Sequence, residues 1–147
     1  MSGPWQAKVD RILDASVEEV WEAWTDASLL ADWIVAPGCH VEADVRVGGS
    51  FRFDMGCEGQ PPVPHTGRYL ALERPRLIEF TWVSPWTGGE SRVRIDLEPV
   101  GAKTRFRLVH EGLPDEANAK DHEAGWNDFA RAAATRVAKG GRHASAS

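Results

Sequence analysis

The hydrophobic positions of this chain follow two different periods, and the change of period predicts its elements. Residues 8–13 read as a strand with Val9 and either Ile12 or Leu13 as apolar anchors. Ser16 and Glu19 then form a capping-box pair ahead of Val17, Val20, Trp21 and Trp24, which share one helical face. That helix should stop near Thr25-Asp26, and a second short helix fits residues 28–33 before Pro37-Gly38 breaks the chain. Beyond the break the period drops to two. Val41, Ala43 and Val45 alternate with acidic and basic neighbours as far as Gly48-Gly49, and Phe51, Phe53 and Met55 repeat the pattern. Residues 56–64, with glycines and prolines, read as a loop, because proline removes a ladder donor from a central strand.

Alternation returns over residues 67–72, turns at Pro75, and continues through Ile78, Phe80 and Trp82. A loop over residues 84–90 carries Trp86 at its tip. Val93, Ile95 and Leu97 oppose Arg92, Arg94 and Asp96; after a turn at Pro99-Val100-Gly101, Phe106 and Leu108 oppose Arg105 and Arg107. Such alternation marks antiparallel strands with one wet and one buried face. The period then returns to that of a helix. From Leu113-Pro114-Asp115 onward, His122, Trp126, Phe129, Ala133 and Val137 fall on one face, and Gly140-Gly141 supply a stop. This predicts a C-terminal helix of roughly 24 residues.

The fold class expected is therefore α+β: a curved antiparallel sheet of about seven strands wrapped around the long helix, with two short helices after the first strand. Residues 5–141 should form a single domain; residues 1–4 and 142–147 lack any period and are expected to be disordered tails. Gly125 sits inside the long helix, where it costs about 1 kcal/mol relative to alanine. It is read either as a tolerated imperfection or as a point where another backbone approaches Trp126.

Composition narrows the function. Seven tryptophans among 147 residues must be buried or must line a pocket. The net charge of −5 disfavours nucleic acid as a partner, and no apolar run approaches a membrane span. Cys39 and Cys57 are too few for a disulfide framework, and no basic-then-apolar leader opens the chain, so a cytoplasmic protein with free thiols is expected. Cys39, His40, Cys57 and His65 lack the spacing of a zinc site. Neither glycine pair, Gly48-Gly49 nor Gly88-Gly89, opens a helix after a strand, so no phosphate loop and no cofactor is expected.

Several motifs carry a resemblance. Residues 15–21, with Trp24-Thr25-Asp26 and Trp33, resemble the opening of the heat-shock ATPase activator homologue family of the START-like, helix-grip superfamily. Residues 44–49 resemble its D-x-R-x-G-G step. Gly67-Arg68-Tyr69 and residues 75–82 resemble its G-x-V and P-x-R-L-x-F-x-W patterns, with one extra residue before Phe80. His110-Glu111-Gly112, His122, Gly125 and Trp126 resemble its closing motif. The resemblance implies the helix-grip fold, and by analogy with the wider superfamily an apolar ligand held between sheet and helix.

The inward faces then nominate a cavity wall. Phe51, Phe53, Tyr69, Phe80, Trp82, Ile95, Phe106 and Leu108 come from strands, Trp33 from the short helix and Trp126 from the long one. Alternation from Phe106 and Leu108 turns His110 inward, and His122 lies one turn before Trp126. The leading expectation is binding of a small apolar, aromatic or lipid-like ligand. The first rival is a cyclase or hydrolase using His110, His122 or Tyr69 as acid or base. The second is a chaperone partner, or a subunit of a homodimer, presenting Trp5 or Trp86.

Overall fold

The alternating strands assemble into one sheet. The computed structural model describes residues 4–34, 39–55, 61–87 and 89–146, with side chains as far as Val137. Its elements in chain order are β1 (Trp5–Leu13), α1 (Val17–Thr25), α2 (Ala27–Trp33), β2 (Val41–Ala43), β3 (Ser50–Met55), β4 (Val63–Glu73), β5 (Leu77–Trp82), β6 (Ser91–Val100), β7 (Lys103–Leu113) and α3 (Glu116–Ala146). The seven strands are ordered β1-β7-β6-β5-β4-β3-β2, every pair antiparallel. Strands β2 to β7 thus form a meander, and β1 closes it beyond β7. The two short helices carry the chain from one sheet edge to the other. This is the expected α+β helix-grip architecture.

One face of the sheet is apolar. Val9 and Leu13 point inward from β1 while Ile12 is half exposed, which decides between the two anchors the sequence left open. Val93, Ile95, Phe106 and Leu108 are fully buried, and Phe51, Phe53, Tyr69, Phe80 and Trp82 join the same core. Against it α3 lays Trp126, Ala130, Ala133 and Val137. The small alanines let α3 lie close to α1 and β1, with which it makes contact.

Local chemistry sets the helix starts. In α1, Ser16 Oγ accepts from Glu19 N at 3.2 Å and Glu19 Oε1 accepts from Ser16 N at 3.0 Å, so the capping box closes from both sides. Asp26 Oδ1 accepts from Ser28 N at 2.9 Å to start α2. Trp33 Nε1 donates to Ala23 O at 2.8 Å, locking α2 onto α1. Asp115 Oδ1 accepts from Asn118 N at 2.7 Å, so Asp115 opens α3 and Pro114 lies before it.

Some sequence expectations are corrected. Helix α3 passes through Gly140-Gly141 to Ala146, 31 residues in all. Glycine permits the left-handed stop without imposing it, and no proline follows to forbid continuation. Strand β4 begins at Val63, inside the expected loop, with Pro64 opposite Asp54. Thr66 N donates to Val83 O at 3.0 Å in an isolated bridge just past β5, so Pro64, two residues earlier on that side, has no ladder bond to lose. Val45 falls outside β2, because the chain turns there: a Cβ on Gly49 would lie 2.0 Å from Asp44 O. Gly67 is equally constrained, since a Cβ there would lie 1.9 Å from Thr81 O. Cys39 is disulfide-bonded, which overturns the free-thiol expectation at that position; a low cysteine count excludes a framework but not one bond. The break at Pro37-Gly38 and the residues Cys57 and Gly88 lie outside the described residues.

Candidate functional site

At the end of β7 the alternation delivers His110 inward, fully buried. Trp126 Nε1 donates to His110 Nδ1 at 2.9 Å. An indole nitrogen can only donate, so Nδ1 holds the lone pair and the imidazole proton sits on Nε2. That proton is donated to Ser91 Oγ at 2.7 Å, and Ser91 Oγ donates onward to Trp82 O at 2.6 Å. The series runs one way and ends on a backbone carbonyl. Burial, with His122 as a second cause, pushes the His110 pKa down to about 3. A neutral ring with both nitrogens occupied has no lone pair left for general-base work. His110 is a cross-brace between β7, β6 and α3.

His122 approaches it edge-on, the ring centroids 4.9 Å apart. Its Nδ1 is bonded to Asn118 O at 2.9 Å, one turn back along α3. A carbonyl only accepts, so Nδ1 carries a proton, and in the neutral ring Nε2 holds the lone pair. His65 on β4 repeats this arrangement, its Nδ1 donating to Val63 O at 3.1 Å. Burial lowers the His65 pKa, the Val63 hydrogen bond raises it by less, and His122 lowers it further.

These two histidines border a pocket of about 320 Å³ between one end of the sheet and the first half of α3. Met55, His65 and Trp82 come from the ends of β3, β4 and β5, and Trp86 from the β5–β6 loop. From α3 come Asn118, Asp121, His122, Gly125, Trp126 and Phe129. The aromatic planes meet steeply: 61° between Trp82 and Trp126, 73° between Trp126 and Phe129, with centroids 4.8 and 5.7 Å apart. A Cβ built on Gly125 meets nothing within 4 Å, so of the two readings the backbone approach is absent, and the missing side chain leaves space in the pocket. The loop is held in place: Asn118 Nδ2 donates to Trp86 O at 2.5 Å, and Thr87 Oγ1 accepts from Ser84 N at 3.1 Å. Trp86 remains 54% exposed at the pocket's edge.

Of the residues nominated from sequence, Trp82, His122 and Trp126 come together at this pocket. Phe51, Phe53, Tyr69 and Phe80 gather instead around a void of only about 10 Å³, with Trp24, Leu30 and Ile34. Phe51 stacks on Phe53 at 4.8 Å, and the rings fill what would have been the deeper cavity. Ile95, Phe106 and Leu108 are core residues; Trp33 packs edge-on against Trp24 at 4.6 Å and Phe129 at 5.8 Å. Burial pushes the Tyr69 phenol well above its ordinary range, so it stays protonated. Sequence reasoning missed Met55, His65, Trp86, Asn118, Asp121 and Phe129 as lining residues. The signal was present for several: Asn118, His122, Trp126 and Phe129 follow helical spacing, and His65 and Gly67 continue the inward alternation of Tyr69.

Other depressions carry charged residues in their linings. One of about 470 Å³ is lined by Arg68, Glu90, Arg92 and Glu111, and one of about 740 Å³ by Glu42, Asp44, Arg52 and Arg68 among others. Among the described residues no cluster of three or more His, Cys, Asp or Glu side chains could hold a metal ion. No helix among them is long and apolar enough to cross a membrane.

Solved structures share the fold. Protein CV1439 from Chromobacterium violaceum is 28% identical, with a TM-score of 0.74 over 90% of this chain and 96% of that one. CalU16 from Micromonospora echinospora is 21% identical, TM-score 0.67, covering 93% of this chain and 86% of that one. PFC0360w, an HSP90 activator from Plasmodium falciparum, is 21% identical, TM-score 0.68, covering 82% and 86%. No curated protein matches the chain. The family described as activator of Hsp90 ATPase homolog 1-like protein matches residues 14–136, spanning every element from the capping box to the last buried turn of α3. The chain belongs to that family.

Proposed function

We propose that this protein binds a small ligand with an apolar body in the pocket between the ends of β3–β5 and α3. One observation carries the reading: in a core otherwise packed solid, about 320 Å³ stays open beside Trp82, Trp126 and Phe129, within the range of small-molecule sites. Gly125 supports it, because a residue that weakens its helix by about 1 kcal/mol while touching nothing is accounted for by the space it leaves. The acid–base rival loses His110, which has no free nitrogen, and Tyr69, which is held protonated, and rests on His122 alone. The cytoplasmic placement drew on the opening residues and on free thiols, and the disulfide at Cys39 removes the second support.

The experiment is a ligand screen by intrinsic tryptophan fluorescence, repeated on Gly125→Leu. A Cβ at this position meets nothing within 4 Å, and leucine favours the helix while extending beyond that carbon. Saturable changes in the natural chain that vanish in a fully folded Gly125→Leu protein support the reading; hits that bind both proteins equally overturn it. A chaperone-directed role is the second reading, favoured by the family and by the exposed Trp86. Co-purification with an Hsp90 that is lost in Trp86→Ala tests it.

A further inference from the structure

We infer that the pocket selects a cationic ligand, an organic ammonium carried on an apolar or aromatic body. This rests on the binding reading above and adds the ligand's charge. The first observation is the shape of the aromatic wall. Rings that are not coplanar can present several faces to one ammonium, and Trp82, Trp126 and Phe129 meet at 61° and 73°. His65 and Trp86 continue the wall, 5.7 Å apart and at 39°. Angled ring faces bordering one pocket can act as an aromatic cage, which attracts an ammonium through the ring quadrupoles.

The second observation is the polarity of the other groups. Among the described residues no lysine or arginine lines the pocket. Its non-indole polar side chains are His65, Asn118, Asp121 and His122. Both histidines donate Nδ1–H to backbone carbonyls, which leaves Nε2 as an acceptor on each. Asn118 donates Nδ2–H to Trp86 O, which fixes its Oδ1 as an acceptor, and that oxygen is buried without a partner. Asp121 adds a carboxylate. A site whose side-chain amide, imidazole and carboxylate groups all accept is matched by a ligand that donates or carries positive charge. Of the three indole donors on the wall, Trp126 Nε1 is already engaged by His110. The chain's net charge of −5 favours the approach of a cation.

Phenyltrimethylammonium and its neutral isostere tert-butylbenzene separate charge from shape. Each is titrated at low salt into the natural chain, Asp121→Asn and Gly125→Leu, and read by tryptophan fluorescence. The expected result is at least about tenfold tighter binding of the ammonium, a ratio that falls several-fold in Asp121→Asn, and no saturable binding to Gly125→Leu. Equal or tighter binding of tert-butylbenzene overturns the charge assignment and leaves the pocket reading standing. An ammonium preference unchanged in Asp121→Asn, or ammonium binding that survives in Gly125→Leu, also overturns it. Failure of both probes to bind the natural chain overturns the assignment together with the pocket.

Discussion

Trp126 of α3 donates its indole N–H to His110 of β7 across 2.9 Å, and this one bond decides what the most conspicuous histidine can do. Because the indole has no acceptor, it fixes the tautomer. The tautomer fixes the bond to Ser91, and the buried ring becomes a brace between sheet and helix.

That brace should be visible in the pH dependence of stability. The ordinary imidazole value is about 6.5, and burial brings His110 down to about 3. Above about pH 6.5 both the folded and unfolded chains are neutral at this group, and its contribution is fully present. As pH falls toward 3 the unfolded chain takes up a proton that the folded chain refuses, so stability falls, by at most about 1.4 kcal/mol per pH unit from this group. His65, lowered by burial, acts in the same direction. Urea midpoints between about pH 7.5 and 5 should decline less steeply in His110→Gln. A His110 NMR resonance titrating near 6.5 would contradict the assignment.

Ser91→Ala should cost about 1–3 kcal/mol, because it strands the His110 Nε2–H inside the core and removes the donor to Trp82 O. The ring cannot switch tautomer to escape, since Trp126 occupies Nδ1. A denaturation midpoint equal to that of the natural chain would mean the hydrogen-bonded series does not exist in solution.

Two glycines should respond with opposite signs. Gly67→Ala places a carbon 1.9 Å from the backbone oxygen of Thr81 and should destabilise by about 3 kcal/mol or by enough to prevent folding. Gly125→Ala meets nothing and should stabilise by up to about 1 kcal/mol through helix propensity. Thermal melts of the two variants check both; destabilisation by Gly125→Ala would mean that α3 is packed tightly there.

The fold was legible because one-sided burial leaves a period. Val93, Ile95 and Leu97 against Arg92, Arg94 and Asp96 admit only a strand with one dry face, and Ser16 with Glu19 admits little but a helix start. The site was less legible because an open volume is a difference between neighbours that a pattern treats alike. Phe51, Phe53, Tyr69 and Phe80 share the inward pattern of Trp82, yet their rings stack on one another and fill their space. Gly125, read either as a tolerated imperfection or as a place of close approach, leaves room instead. His65 was hidden because prolines made its strand look like loop, when Pro64 lies past the last partner on that side. Asn118 and Asp121 belong to the polar shoulder of the helix stripe, which hydrophobic periodicity discards.

The central claim is that a ligand occupies the space beside Gly125, and indole N–H NMR tests it most directly. With the seven tryptophans assigned, phenyltrimethylammonium is titrated into the labelled protein. The account expects saturable shifts at Trp82, Trp86 and Trp126, little change at Trp5 on the first strand or Trp21 on α1, and loss of the shifts in Gly125→Leu. Shifts centred on Trp5 or Trp21, or shifts at the pocket tryptophans that persist in Gly125→Leu, would contradict it.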